Sequence, residues 1–312
     1  MRDVSFHAWQ EAEALAGPQR SYRLARKLPG QLRTLGRSAA ARADWALAHT
    51  LFWMGRFEES RALLAAIRID ALTPEIDTDF NLELLIPAQL AWALALLGET
   101  ESAIEHGQRA LDWAKTRPDS MQLAFAHDFL AHLHCFLDAP AATLAYTRCT
   151  SSWHAGSVGR QSRQRLRCPS DMATLLEYWA LSRLGQPSDE TAAQTALARL
   201  RRHQPAQEAR AFSLYAQAQF HQAPAHAQGF ALTQLDAALD LNARFGLHHW
   251  EARLLHMKSQ SLDAAGQLTD ASRFLRLAQE TAQRQGARLF LNAATGIESR
   301  SHASPLPGQT SS

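Results

Sequence analysis

From Ile86 to Ala114 the polar and apolar positions alternate with a helical period, break once, and resume. Leu90, Trp92, Ala93, Leu94, Leu96 and Leu97 make the first half apolar almost all round. A helix of that kind must be covered on more than one side. Ala103, Ile104, Gly107, Ala110, Leu111 and Ala114 recur at helical spacing in the second half, with Glu101, Glu105, Gln108 and Arg109 turned outward. Gly98, between the halves, stands where a helix C-terminus wants a left-handed residue. The stretch predicts a helical hairpin. A lone hairpin leaves apolar surface bare, at roughly 25 cal/mol per Å², so it needs neighbours stacked on both sides.

The rest of the chain predicts more such units. Ala41–Ile67 turns at Gly55, and Met121–Cys149 turns near Asp138, Ala139 and Pro140. Met172–Leu200 turns at Gly185, Ala209–Leu241 turns around Ala223 to Ala227, and His249–Gly286 turns at Gly266. Turns near 55, 98, 138, 185, 226 and 266 give a period of roughly 40 to 47 residues, the mark of a helical solenoid. The predicted fold is all-α, a right-handed α-α superhelix of about six to seven hairpins. Residues 1–37 predict a basic helical cap, with Arg20, Arg23, Arg26, Lys27, Arg33 and Arg37 on a solvated face. Val4, His7, Ala8, Glu11, Ala12 and Leu15 form a weak stripe there. The repeats are assigned to residues 38–298, and the polar, proline-containing 299–312 is expected to be disordered. The acidic stretch to about Leu82 and the segment Ser151–Ser170 read as irregular.

Composition narrows the classes. Lys plus Arg number 32 against 30 for Asp plus Glu, a net charge of +2, which argues against a dedicated nucleic-acid binder. Three cysteines without a C-x-x-C pair read as reduced thiols. The N-terminus lacks the basic-then-apolar order of a signal peptide. The longest apolar run, Leu84–Leu97, contains Pro87 and Gln89 and falls short of the ~20 residues of a membrane span. A cytoplasmic protein without membrane contact is expected.

The pattern Ala91…Gly98…Ala103, repeated as Gly266…Ala271…Ala278, resembles the tetratricopeptide core, at a longer spacing than its ideal 34 residues. HTLFWMGRFEESRA ending at Ala62, LAWALALLGETESAIEHGQRAL, LAFAHDFLAHLHCFLDAPAAT, and HWEARLLHMKSQSL followed by AQRQGARLFLNAAT carry a closer likeness. Trp250-Glu251-Ala252, Leu255-His256 and Gln285-Gly286-Ala287-Arg288 are its most distinctive parts. Over residues 40–298 the chain resembles the C-terminal tetratricopeptide region of bacterial signalling-ATPase regulators, which carry a winged-helix or nucleotidyl cyclase output domain. The resemblance departs at the arginine-rich Ser157–Arg167, and the ATPase and output domains have no counterpart here. It implies a sensor arm without their nucleotide or DNA chemistry.

Motifs for other chemistry are absent or poorly placed. No G-x-x-x-x-G-K-[ST] and no G-x-S-x-G occurs. Gly156-Ser157-Val158-Gly159 follows no strand, so it is not read as a phosphate loop. His127, His132, His134 and Cys135 share a helix but do not converge as zinc requires. His248, His249 and His256 lack the H-E-x-x-H spacing. No catalytic residue, cofactor or metal is therefore expected.

In a repeat stack the first helix of each pair lines the concave wall. The turn register puts His49, Trp92, His132, Trp179, Phe220 and Gln260 on that wall, with Trp45, Asp128, Leu175 and His256 one turn earlier. Aromatic anchors suit a protein or peptide partner, or a small effector. Trp92 and Trp179 also read as inter-repeat core. A non-enzymatic interaction and sensing module in signalling or transcription regulation follows. The alternatives are an arm of a regulator encoded elsewhere, or phosphate or nucleic-acid binding through Arg160, Arg163, Arg165 and Arg167. The arginine cluster has no interleaved aromatics, which disfavours single-strand binding.

Overall fold

The computed structural model describes residues 4–69, 81–116, 121–156, 167–223 and 228–296. Among them there is α-helix, a short 3-10 turn at Arg33–Leu35, and no strand. Three short helices come first: α1 (Val4–Ala16), α2 (Pro18–Ala25) and α3 (Leu28–Leu32). Six pairs follow: α4 (Arg37–Trp53) with α5 (Phe57–Ala66), α6 (Leu82–Leu96) with α7 (Thr100–Lys115), α8 (Met121–Phe136) with α9 (Pro140–Gly156), α10 (Arg167–Arg183) with α11 (Glu190–His203), α12 (Pro205–Gln222) with α13 (Gln228–Phe245), and α14 (Glu251–Ala264) with α15 (Leu268–Gln285). A last helix, α16 (Arg288–Thr295), ends the described chain.

Five of the six turns are built alike, because the sequence places a left-handed residue at each of them; the turn between α12 and α13 includes residues outside those described. Gly55, Gly98, Gly185 and Gly266 have φ of 74°, 84°, 63° and 75°, and Asp138 takes the same role at 56°. Each is followed by an amide that reaches back to the closing turn of its helix: Arg56 N to Leu51 O, Glu99 N to Leu94 O, Ala139 N to His134 O, Gln186 N to Leu181 O and Gln267 N to Leu262 O, all 2.8–2.9 Å. That is the Schellman closure of a helix, which satisfies a carbonyl the helix itself leaves orphaned. Side chains cap two starts: Asn81 accepts from Glu83 N at 3.2 Å and Asp189 from Ala192 N at 2.9 Å.

Packing follows the pair order. Each first helix touches the next (α4 on α6, α6 on α8, α8 on α10, α10 on α12, α12 on α14), and each second helix lies against its own partner. Small residues on α7 permit the close approach: a Cβ added to Gly107 would stand 2.8 Å from Leu133 and 2.9 Å from Leu130 of α8. α6, apolar all round, is covered by α4, α5, α7, α8 and α16, so Leu84 to Leu97 are buried throughout.

The ends of this series meet. His248 N donates to Trp53 O at 2.8 Å, and Gln285 Nε2 donates to His248 O at 2.8 Å, which ties the last pair to the first turn. Asp138, at the third turn, accepts from Arg183 at 2.6 Å and from Arg253 at 2.9 Å. Phe136 packs on Trp250 with ring centroids 4.8 Å apart, and Trp250 on Phe290 at 5.8 Å. α2 bridges α4 and α13, while α1 lies against α12.

Several expectations need correction. Residues 151–156 and 167–170 are helical, extending α9 and α10 into a segment read as irregular. Residues 157–166 and the tail 299–312 lie outside the described residues, as does most of the acidic stretch before α6. The helices outnumber the expected hairpins, because α1, α2, α3 and α16 stand outside the pairs. The stripe on α1 is also displaced. His7, Ala8, Glu11 and Leu15 are exposed, and Phe6, Trp9 and Glu13 are buried instead.

The turn contacts set up a differential prediction. A Cβ on Gly55 would stand 2.6 Å from Gln285 Nε2 and 3.1 Å from His248 Cβ, whereas one on Gly266 would meet nothing within 4 Å. Both alanine variants carry left-handed strain of about 1–2 kcal/mol. Gly55→Ala also displaces the Gln285 hydrogen bond and should lose about 1 kcal/mol more than Gly266→Ala in urea unfolding.

Candidate functional site

The inner wall predicted from the turn register is an interior. Trp45 is 3% exposed, Trp92 4%, His132 8%, and Leu175 and Trp179 are fully buried. His49 and Asp128 retain a little exposure, Phe220 and His256 are half-buried, and Gln260 is exposed. The aromatics form one connected chain. Trp45 lies 5.1 Å from His49, His49 5.7 Å from Trp53, Trp53 5.8 Å from Trp92, and Trp92 5.2 Å from His132. Trp92 Nε1 donates to Phe129 O at 2.8 Å. Trp179 stands apart, with the Arg253 guanidinium 5.9 Å from its ring. Phe220 on α12, and His256 and Gln260 on α14, form the accessible end of the series.

At the centre of the aromatic chain sits a buried charge pair. Glu13 of α1 and Arg210 of α12 are 5% and 3% exposed, and the Arg210 guanidinium donates to the Glu13 carboxylate. Ser21 Oγ donates to the other oxygen of Glu13. The guanidinium lies over the Trp53 ring, 3.9 Å from its centroid, a favourable cation–π placement. Buried charges persist only when paired and hydrogen-bonded, and this pair meets that condition.

His49 is oriented by its neighbours. Trp53 Nε1 donates to His49 Nε2 at 2.8 Å, so Nδ1 carries the proton and donates to Gln89 Oε1 at 3.0 Å. Burial, aided by the Arg210 charge and opposed by Glu13, lowers the His49 pKa to about 4. His49 Nε2 is 4.0 Å from Glu13 and is not its partner. With its free lone pair already taken by an indole, this imidazole is a packing and hydrogen-bonding group rather than a base. His249 is pushed well below the usual histidine range by burial and then by Arg210 and His132. Burial raises the Asp128 carboxyl, with His132 opposing. His127 and His134 flank Tyr146, with His134 stacked on its ring at 5.4 Å.

Trp9, Glu13, Trp53, Gln89, Arg210 and His249 thus complete the site and were absent from the register. One was hinted at: Gln89 is a polar residue inside an otherwise apolar helix, and it is fully buried. No group of three or more His, Cys, Asp or Glu side chains that could hold a metal occurs among the described residues. Cys135 is a buried free thiol, raised by burial, and Cys149 is free and exposed. Arg160, Arg163 and Arg165 lie outside the described residues, and Arg167 opens α10. No helix of the described chain is long and apolar enough to cross a membrane. No family model matches the chain, and no curated protein matches it.

Proposed function

We propose that this chain is a non-enzymatic interaction and sensing module, a tetratricopeptide-like right-handed superhelical stack that binds a protein or peptide in bacterial cytoplasmic signalling or transcription regulation. The observation that supports it is the recurrence of one hairpin, closed at five turns by the same hydrogen bond, with first helices packed in series. Such a series offers a continuous wall whose register is fixed from one end to the other. Phe220, half-buried, is an aromatic of that wall still open to act as an anchor of the kind that dominates binding energy. The accessible portion of that wall is Phe220, His256 and Gln260.

A photoreactive side chain at position 260 tests this in the native cell, with position 108 on the exposed face of α7 as control. A discrete cross-linked protein from 260 and none from 108 is the expected result. Equal labelling from both sites, or none from 260, 256 and 220, would refute the reading.

A further inference from the structure

We infer that α1 occupies, within its own chain, the docking site of a partner, and that the partner presents an amphipathic helix with an aromatic side chain and, one turn later, a carboxylate. This rests on the interaction-module reading and names the chemistry of the partner.

α1 is held as a docked helix is held. One stripe goes in: Phe6, Trp9 and Glu13 are buried, while His7, Ala8, Glu11 and Leu15 face out. Recognition of a helix in a groove relies on such i, i+3, i+7 anchors. Trp9 inserts edge-on against Trp45 at 5.8 Å and His49 at 5.9 Å, and its Nε1 donates to Thr50 Oγ1 at 3.0 Å. Trp9 is therefore received by α4, at two of the wall positions that the repeat register assigns to partner binding, while the body of α1 lies against α2 and α12. One turn later Glu13 meets Arg210, which is 197 residues away along the chain.

The charge arrangement favours an acidic helix. Arg210 belongs to the repeat series, whereas the carboxylate that neutralises it comes from a helix outside that series. Without α1, the wall would lose the Glu13 carboxylate from a guanidinium set on the Trp53 ring beside His49. With α1 seated, two polar groups there stay buried without a hydrogen-bond partner: Gln89 Nε2, fully buried, and His249 Nδ1, in a residue 1% exposed. An occupant that carries a carboxylate fits this wall, and a basic helix would leave Arg210 facing a like charge. Gly17, at φ 77°, joins α1 to α2.

The test uses the full chain and a labelled peptide of residues 4–16, VSFHAWQEAEALA. Glu13→Gln in the host removes the charge from α1 and keeps its hydrogen-bonding shape. Trp9→Leu, which keeps the ion pair, is a second host should the first fail to fold. The peptide should bind either folded host and bind wild type more weakly, because the intact α1 competes. Placing Gln at the Glu13 position of the peptide should weaken binding roughly thirtyfold or more, the scale of a truncated buried charge pair. No binding to a folded host, or equal binding of the two peptides, would overturn the inference. So would a concentration-dependent dimer of the host, since a second copy would then be the occupant. Cross-links from position 260 remain the separate measure of the interaction reading: their presence with no peptide binding fails the helix inference alone.

Discussion

Arg210→Ala should lower the unfolding free energy by roughly 3–5 kcal/mol, among the largest losses open to a single substitution in this chain. The change leaves Glu13, 5% exposed, as an uncompensated buried carboxylate with only Ser21 Oγ donating to it. It also strips the cation from the Trp53 ring. A domain stable by about 5–15 kcal/mol would lose a large share of its margin. Replacing both charges, as Glu13→Leu with Arg210→Met, should recover most of that loss, because two apolar groups of similar shape carry no desolvation penalty. Urea unfolding of both single variants and the double variant measures the coupling. An additive double variant would mean that the two side chains do not depend on each other.

Acidification should be the other large effect. Burial lowers the pKa of His49 and of His134 to about 4, and burial with Arg183 and Arg253 lowers that of His221 to about 3. His249 is held well below the usual range. In the unfolded chain each returns to about 6.5. The folded state thus binds fewer protons than the unfolded state between these values. Stability from these groups is complete above about pH 6.5 and is lost as pH falls toward 4, and toward 3 for His221. His49, His134 and His221 each contribute about 1.4 kcal/mol per pH unit across their windows, so together they should cost several kcal/mol by about pH 5, and His249 acts in the same direction. Asp128 and Asp44, both raised by burial, work in the opposite sense and offset part of this. Thermal unfolding between about pH 7.5 and about pH 4.5 checks the sign. His134→Gln should flatten the slope by about one proton, and an unchanged midpoint across that range would contradict the placement of these rings.

The hairpins were legible because their determinants are local. A left-handed residue at the turn and a helical stripe on either side suffice to place most of α4 to α15, and Asp138 fits the glycine slot because aspartate tolerates a left-handed backbone. The aromatic register was legible for the same reason: Trp45, His49, Trp92 and His132 do fall on one connected face. What covers that face was not. A local pattern cannot tell whether a wall is met by a partner, by the next repeat, or by the chain's own beginning. α1 shows the point most clearly. Its buried stripe includes Glu13, a residue that hydropathy assigns to solvent, and the reason it is buried is Arg210 on the fifth hairpin. The stripe read through His7, Ala8, Glu11 and Leu15 therefore lies on the wrong side of α1.

Hydrogen exchange across residues 4–16 tests the central claim, that α1 is seated on the inner wall through Trp9 and Glu13. In the wild-type chain its amides should be protected, and in Arg210→Ala they should open well before those of α6 and α8. Exchange of α1 in the wild-type chain at the rate of a free peptide would contradict the account.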